Sequence, residues 1–270
     1  MNFHLRCKVK KIIRNFATNM QQKTFQLCLT ILWVAISLTG CGHQRKPKPL
    51  TTPLDSITVD TTAVLKHGDL CKVHLKMFFF KGSNAATLND SLLRMGILQP
   101  DYMATSYEQL NPRTALPDYV RRLIEEQADV FRGIRRCEPN TAQLRLELSV
   151  DTEVLAGADD AIIYVAHTRT TTNDNSLAWT VVRNMTPKGK WIRLSDAFSE
   201  EELKELPSQI ISQMAENLNL DDTTSVRKQG YFSGIDAYAT DNFMLFDDSV
   251  KFIYVPGEIS LDPISVTLNR

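Results

Sequence analysis

The sequence predicts an α+β domain: an antiparallel sheet with helices packed on one of its faces, in the order β-α-α-βββ-α-βββ. Three observations lead there. Several stretches alternate apolar and polar residues with a period of two, which marks half-buried strands. Apolar stripes at helical spacing fall between the runs of strands. The gaps between the middle strands hold only a few turn-forming residues, too few for the crossover that parallel pairing needs.

In residues 70–80, Cys71, Val73, Leu75, Met77 and Phe79 share one face, and Lys72, His74 and Lys76 the other. Gly82-Ser83-Asn84 ends this strand. A short helix follows over 85–95, with Leu88, Leu92 and Met95 on one stripe and Gly96 after it. Residues 101–116 read as a loop. Pro117 is expected to open a helix to about Arg135, since proline is tolerated in a first turn, and Val120, Leu123, Ile124 and Phe131 form its apolar face. Three strands come next, over 143–154, 161–171 and 177–185, with turns at 157–160 and 173–175. Ser199 with Glu202 is a capping-box pattern for a helix striped by Leu203, Leu206, Ile210 and Met214. Pro207 either kinks that helix or marks its start. Residues 219–230 read as loop. Strands over 242–246 and 250–255 flank Asp247-Asp248, and Ile264, Val266 and Leu268 alternate in the last strand.

Ahead of the domain, an apolar run from Phe25 ends in Leu38-Thr39-Gly40-Cys41. At about 14 residues it falls short of the ~20 that span a bilayer, and suits the apolar region of a signal peptide. Residues 1–40 carry six basic residues and no acidic one. The tetrad resembles the lipobox of bacterial lipoproteins, which implies that Cys41 becomes the lipidated first residue of the mature protein. A short buried helix ending in cysteine would leave the charge bias unexplained. Met20 opens a compact version of the signal and is the expected start. Residues 41–69, with Pro47, Pro49, Pro53 and many Thr and Ser, read as the lipidated cysteine and a flexible tether. The basic segment after Cys41 points to a periplasm-facing outer-membrane anchor.

Without residues 1–40 the chain holds 25 basic and 31 acidic residues, net −6. That balance argues against nucleic acid, which is met by clustered Lys and Arg. Cys71 and Cys137 remain beside Cys41; outside the cytoplasm they either pair or stay as two separate thiols. His67, Cys71 and His74 are close in sequence, but strand parity turns Cys71 and His74 to opposite faces. His167 near Arg169 has no nucleophile or orienting group at a readable spacing. Asp159-Asp160, Asp221-Asp222 and Asp247-Asp248 read as turn residues, and Phe78, Phe79 and Phe80 as a run buried on both faces. There is no phosphate loop, zinc-protease motif or nucleophile elbow. No catalytic, cofactor-binding or metal-ligating residue is assigned.

Residues 189–198, Gly-Lys-Trp-Ile-Arg-Leu-Ser-Asp-Ala-Phe, together with Asn242-Phe243 and Phe252-Ile-Tyr-Val-Pro-Gly-Glu-Ile259, resemble the DUF3298 family. This is the extracytoplasmic module of the lysozyme-binding anti-sigma factor, often preceded by a DUF4163 region and frequent in lipoproteins of Bacteroidetes-type bacteria. The resemblance spans about residues 70–270, with its specific motifs in 189–270. The chain departs from the family at the middle hairpin. Thr170-Thr171-Thr172-Asn173-Asp174-Asn175 stands where the family has Gly-Gly-Ala-His, and Gly257 replaces a tyrosine. The resemblance implies a lipid-anchored cell-envelope binding or sensing protein rather than an enzyme. Its partner would be a muramidase-like protein or a peptidoglycan fragment. The other readings are a cell-wall hydrolase or deacetylase, built from histidines and carboxylates that the fold brings together, or a structural lipoprotein subunit of an envelope complex.

Overall fold

The computed structural model describes Leu50 and residues 52–270. The signal segment, the start at Met20 and the lipidation at Cys41 lie outside the described residues. The described chain is α+β, with four layers: two helices, a six-stranded sheet, a three-stranded sheet, and a further helix.

The first sheet has the order β1-β2-β3-β4-β5-β6. Its strands are β1 (Leu54–Val64), β2 (Leu70–Phe80), β3 (Arg145–Ala156), β4 (Ile162–Thr172), β5 (Asn175–Met185) and β6 (Trp191–Ile192). Two details correct the sequence reading. Residues 54–64 are not tether but an 11-residue edge strand paired with β2 along its whole length. Its inward positions, Ile57, Val59, Thr61 and Ala63, are only half-buried, and the last two are polar or small, so the strand lacks the strong alternation of an interior one. Secondly, β2 and β3 run parallel, from Leu70 beside Arg145 to Lys76 beside Asp151. The long connection between them carries α1 (Ala85–Arg94) and α2 (Pro112–Cys137), and that is the crossover parallel pairing requires. The other pairs are antiparallel.

Helix α2 starts five residues before Pro117. Asn111 caps it by accepting from Arg113 N at 3.0 Å, and Pro112 takes the first helical position. Leu116, Tyr119, Leu123 and Phe131 of α2 pack with Leu88 and Leu92 of α1 onto Cys71, Leu75 and Met77 of β2. Beyond Lys76 the parallel ladder stops, and side chains complete β2. Phe78 N donates to Thr152 Oγ1 at 2.9 Å, and the Asn89 amide brackets Phe80 at 2.9 and 3.1 Å. All three phenylalanines of that run are covered in whole or part.

The second sheet is a meander of β7 (Phe243–Leu245), β8 (Ser249–Tyr254) and β9 (Ile264–Asn269), so the expected single sheet is two. In chain order, α3 (Leu194–Ala197), α4 (Glu200–Asn217) and α5 (Thr223–Lys228) separate β6 from β7. The Ser199–Glu202 box opens α4, and Pro207 lies inside it. Residues 223–228, expected as loop, form α5 under the Asp222 cap. Leu206, Ile210 and Met214 of α4 cover Phe252, Val266 and Leu268 on one face of the small sheet. Met244 and Ile253, on its other face, meet Ile163, Val165 and Val182 on the outer face of the large one.

Two asparagines join the sheets. Asn242 accepts from Val182 N at 2.6 Å and donates to the carbonyls of Thr180 and Ile253 at 2.8 Å each, so its amide stands in for a strand on the free edge of β5. Asn184 of β5 returns the contact, donating to Phe243 O at 2.7 Å and accepting from Leu245 N at 3.3 Å. Only an amide offers donor and acceptor at that spacing. At the opposite end, the Asp69 carboxylate, 2% exposed, receives Arg135 through Nε at 2.8 Å and a terminal nitrogen at 2.5 Å, and Leu144 N at 2.9 Å. The Arg135 hydrogen bonds hold its pKa below the usual carboxylate range.

Asn242→Ala leaves the Val182 N–H and two carbonyls without this partner between the sheets, and is expected to lower unfolding stability by about 2 kcal/mol in urea titration. A change within about 0.5 kcal/mol, the range of an indifferent surface site, would show that the amide does not hold the sheets. Because the folded pKa of Asp69 is depressed, its contribution is present above the unfolded value of about 3.9 and is lost as pH falls through the lower folded value. Asp69→Asn should therefore lower the urea midpoint at pH 7, and its deficit should narrow below about pH 4; a deficit unchanged down to pH 2 would contradict the assignment.

Candidate functional site

The outer face of the six-stranded sheet is only half covered. Toward β6 it is apolar and lies under the small sheet; toward the β1–β2 turn it is open and polar. Strand parity and register set the open side chains in rows across four strands. One row is Thr62–Lys72–Glu147–Thr171, the next Asp60–His74–Ser149–Arg169, the third Thr58–Lys76–Asp151–His167. Lys72 pairs with Glu147 at 3.0 Å, and His74 Nδ1 meets Asp60 at 2.5 Å. His167 reaches Thr180 at 3.2 Å and Glu153 at 3.4 Å. The Arg169 guanidinium has no hydrogen bond or ion pair among the described residues. The first two rows line a hollow of about 350 Å³.

Asp60, His74 and Ser149 share a row and have the composition of a hydrolytic triad, but only the carboxylate–imidazole contact is formed. Ser149 Oγ lies 3.4 Å from Asp151 instead. The neighbouring backbone N–H groups belong to the β2–β3 and β3–β4 ladders, where they are not directed at a developing oxyanion. The His74 and Asp60 side chains are 42% and 68% exposed, so water weakens any field they set up. The hollow offers donors and acceptors of balanced charge, suited to holding a polar ligand.

The structure separates the other residues the sequence singles out. Cys71 is fully buried in the core, where burial raises its pKa to about 11, while His74 faces out and His67 sits in the β1–β2 turn. Cys71 and Cys137 are two free thiols, one in the core and one exposed at the end of α2. Among the described residues no group of three or more His, Cys, Asp or Glu could hold a metal ion. Asp222 is the α5 cap. Asp159 and Asp247, from turns far apart in sequence, line one cleft of about 530 Å³ with Glu202 and Arg270. Sequence reasoning placed His74 outward but missed Asp60 as its partner, because residues 54–64 read as tether. The Asp60-Thr61-Thr62 polarity on an extended segment was the available signal.

The residues that carry the family resemblance do structural work. Gly189 has φ +86°, and a Cβ there would come within 3.0 Å of Ser91 Oγ. Asp196 accepts from Lys190 Nζ at 2.6 Å and from Arg193 N at 3.1 Å. Tyr254 donates to Tyr238 O at 2.5 Å, and Glu258 accepts from the Tyr238 hydroxyl and from Val255 N at 2.9 Å each. The departing hairpin, 170–175, borders the hollow. Asn173, at φ +53°, makes its turn and takes the Arg145 N–H at 3.0 Å.

These layers are those of the DUF3298 proteins of known structure. A DUF3298 family member from Bacteroides fragilis NCTC 9343 matches with a TM-score of 0.68 and 17% identity, over 83% of this chain and 92% of its own. A DUF3298 family protein from Pseudomonas aeruginosa PAO1 matches with a TM-score of 0.51 and 11% identity over the same shares. At such identities the likeness establishes the fold. No family model and no curated protein matches the chain. Among the described residues no helix is long and apolar enough to cross a membrane.

Proposed function

We propose that this chain is a lipid-anchored binding or sensing protein of the bacterial cell envelope, and that the open polar half of its large sheet takes a cell-wall-associated partner. The lipobox-like segment ending at Cys41 and the resemblance in residues 189–270 support the envelope part. The observation that carries the binding part is the hollow around His74 and Arg169, polar, exposed and with one guanidinium unpaired. Lys72, Lys76 and Arg169 stand against Asp60, Glu147 and Asp151, so the rows are nearly neutral. That balance favours a peptidoglycan fragment, rich in hydroxyls and amides, over a strongly basic muramidase-like protein. The Asp60–His74–Ser149 row favours a wall hydrolase as the second reading.

Calorimetry of the full-length protein in non-ionic detergent should show saturable binding of muropeptides, weakened at least tenfold by Arg169→Ala, and weaker heat with lysozyme. No saturable heat with either would refute the proposal. Prolonged incubation with muropeptides should leave them intact by mass spectrometry; cleavage that disappears in Ser149→Ala would replace the binding reading with the hydrolase.

A further inference from the structure

A second cavity, of about 320 Å³, lies at the β1–β2 turn on the helical side of the sheet, away from the hollow described above. Its apolar wall is Leu65, Ala128 and Phe131. Its polar lining is mostly basic side chains: Lys66 and His67 from the turn, and Arg132, Arg135 and Arg136 from α2, against one carboxylate, Asp69.

The charges are not equally available. Asp69 and Arg135 satisfy each other, with Arg135 also donating to Thr141 O at 3.0 Å, so this pair forms a fixed neutral base. Arg132 is engaged by Asp129 at 2.7 Å. The Lys66 and Arg136 side chains have neither an ion pair nor a hydrogen bond among the described residues. This local excess stands out because residues 50–270 hold 22 basic and 31 acidic residues, net −9. The C-terminal end of a helix favours cations by its dipole, which accounts for Arg135 and Arg136 on α2. It does not account for Lys66 and His67, which arrive from another element. The turn delivers them through left-handed backbone at His67 (φ +64°) and Gly68 (φ +76°), closed by Leu65 N to Asp69 O at 2.7 Å.

We infer that this cavity is a binding site for a small amphiphilic anion, a carboxylate or phosphate carried on an apolar body. The anionic group meets Lys66 and Arg136, and the body lies against Phe131 and Leu65. Two unpaired cations over an apolar wall reward both halves of such a molecule, whereas a bare inorganic anion or a neutral apolar molecule gains only one half. The volume is at the small end of ligand pockets, which run from about 300 to 1,000 Å³.

The test is calorimetry of the full-length protein with four probes: phenyl phosphate, benzoate, inorganic phosphate and benzyl alcohol. The expected result is saturable binding of phenyl phosphate or benzoate, at least tenfold tighter than either inorganic phosphate or benzyl alcohol. Which of the two aromatic anions is tighter identifies the headgroup. Lys66→Ala with Arg136→Ala, both exposed and outside the core, should weaken that binding at least tenfold without shifting the urea midpoint. Raising salt from 50 to 500 mM should weaken it as well. Arg169→Ala should leave it unchanged, which separates this site from the sheet hollow. Absence of saturable binding by either aromatic anion, equal affinity for benzyl alcohol, or undiminished affinity in the double variant would overturn the inference.

Discussion

The reciprocal exchange between Asn184 and Asn242 is the constraint on which the arrangement of the two sheets rests. Past its short pairing with β6, the edge of β5 would carry backbone groups with no strand beside them. Buried without partners, such groups cost more than a hydrogen bond returns. An asparagine from the start of β7 fills that edge, and an asparagine from β5 fills the edge of β7. Each sheet is thereby completed by a side chain of the other. Hydrophobic contact of Met244 and Ile253 with Ile163, Val165 and Val182 supplies area but no register; the amides supply the register.

That docking decides what remains open. The small sheet is three strands wide, and it covers the apolar part of the large sheet's outer face. The rows from Thr58 to Thr171 lie beyond it and must tolerate water, which is why they alternate Lys, Asp, Glu, Thr and His. The motifs of residues 189–198 and 252–259 make local structural contacts: a glycine turn seated on Ser91, an aspartate cap, and Tyr254 hydrogen-bonded to Tyr238. They report the fold. The open polar face is built from β1 to β4, where the sequence carries no motif.

How much of this could be read from the sequence follows from burial. The strands β2 and β3 were legible because one face is packed, so each alternates strongly; Cys71 to Phe79 shows it plainly. The capping box at Ser199 was legible because it is a local hydrogen-bond pattern. Strand β1 was not, since an edge strand over a half-covered face can use Thr61 and Ala63 where an interior strand needs Val or Leu. The start of α2 was misplaced because Pro117 outweighed the Asn111-Pro112 signal, although asparagine followed by proline is itself a cap and a first turn. Parallel pairing of β2 with β3 was invisible, because it is decided by two helices crossing the inner face and not by the residues of either strand. The candidate site suffered twice: Asp60 lay in the overlooked strand, and the neighbours of His74 depend on that unread register.

The same geometry explains why a row containing Asp60, His74 and Ser149 reads as a binding surface. Acyl transfer needs a dry site in which fixed dipoles face the developing charge. A regular sheet spends its N–H groups on neighbouring strands, and its side chains stand perpendicular to it in solvent, so neither condition is met at the middle of an open face. A sheet face can instead present many weak donors and acceptors at fixed spacing along and between strands. That periodic display matches a repeating polar polymer better than a single reacting bond. The small sheet does not cover this face: it is locked over the other half by Asn184 and Asn242.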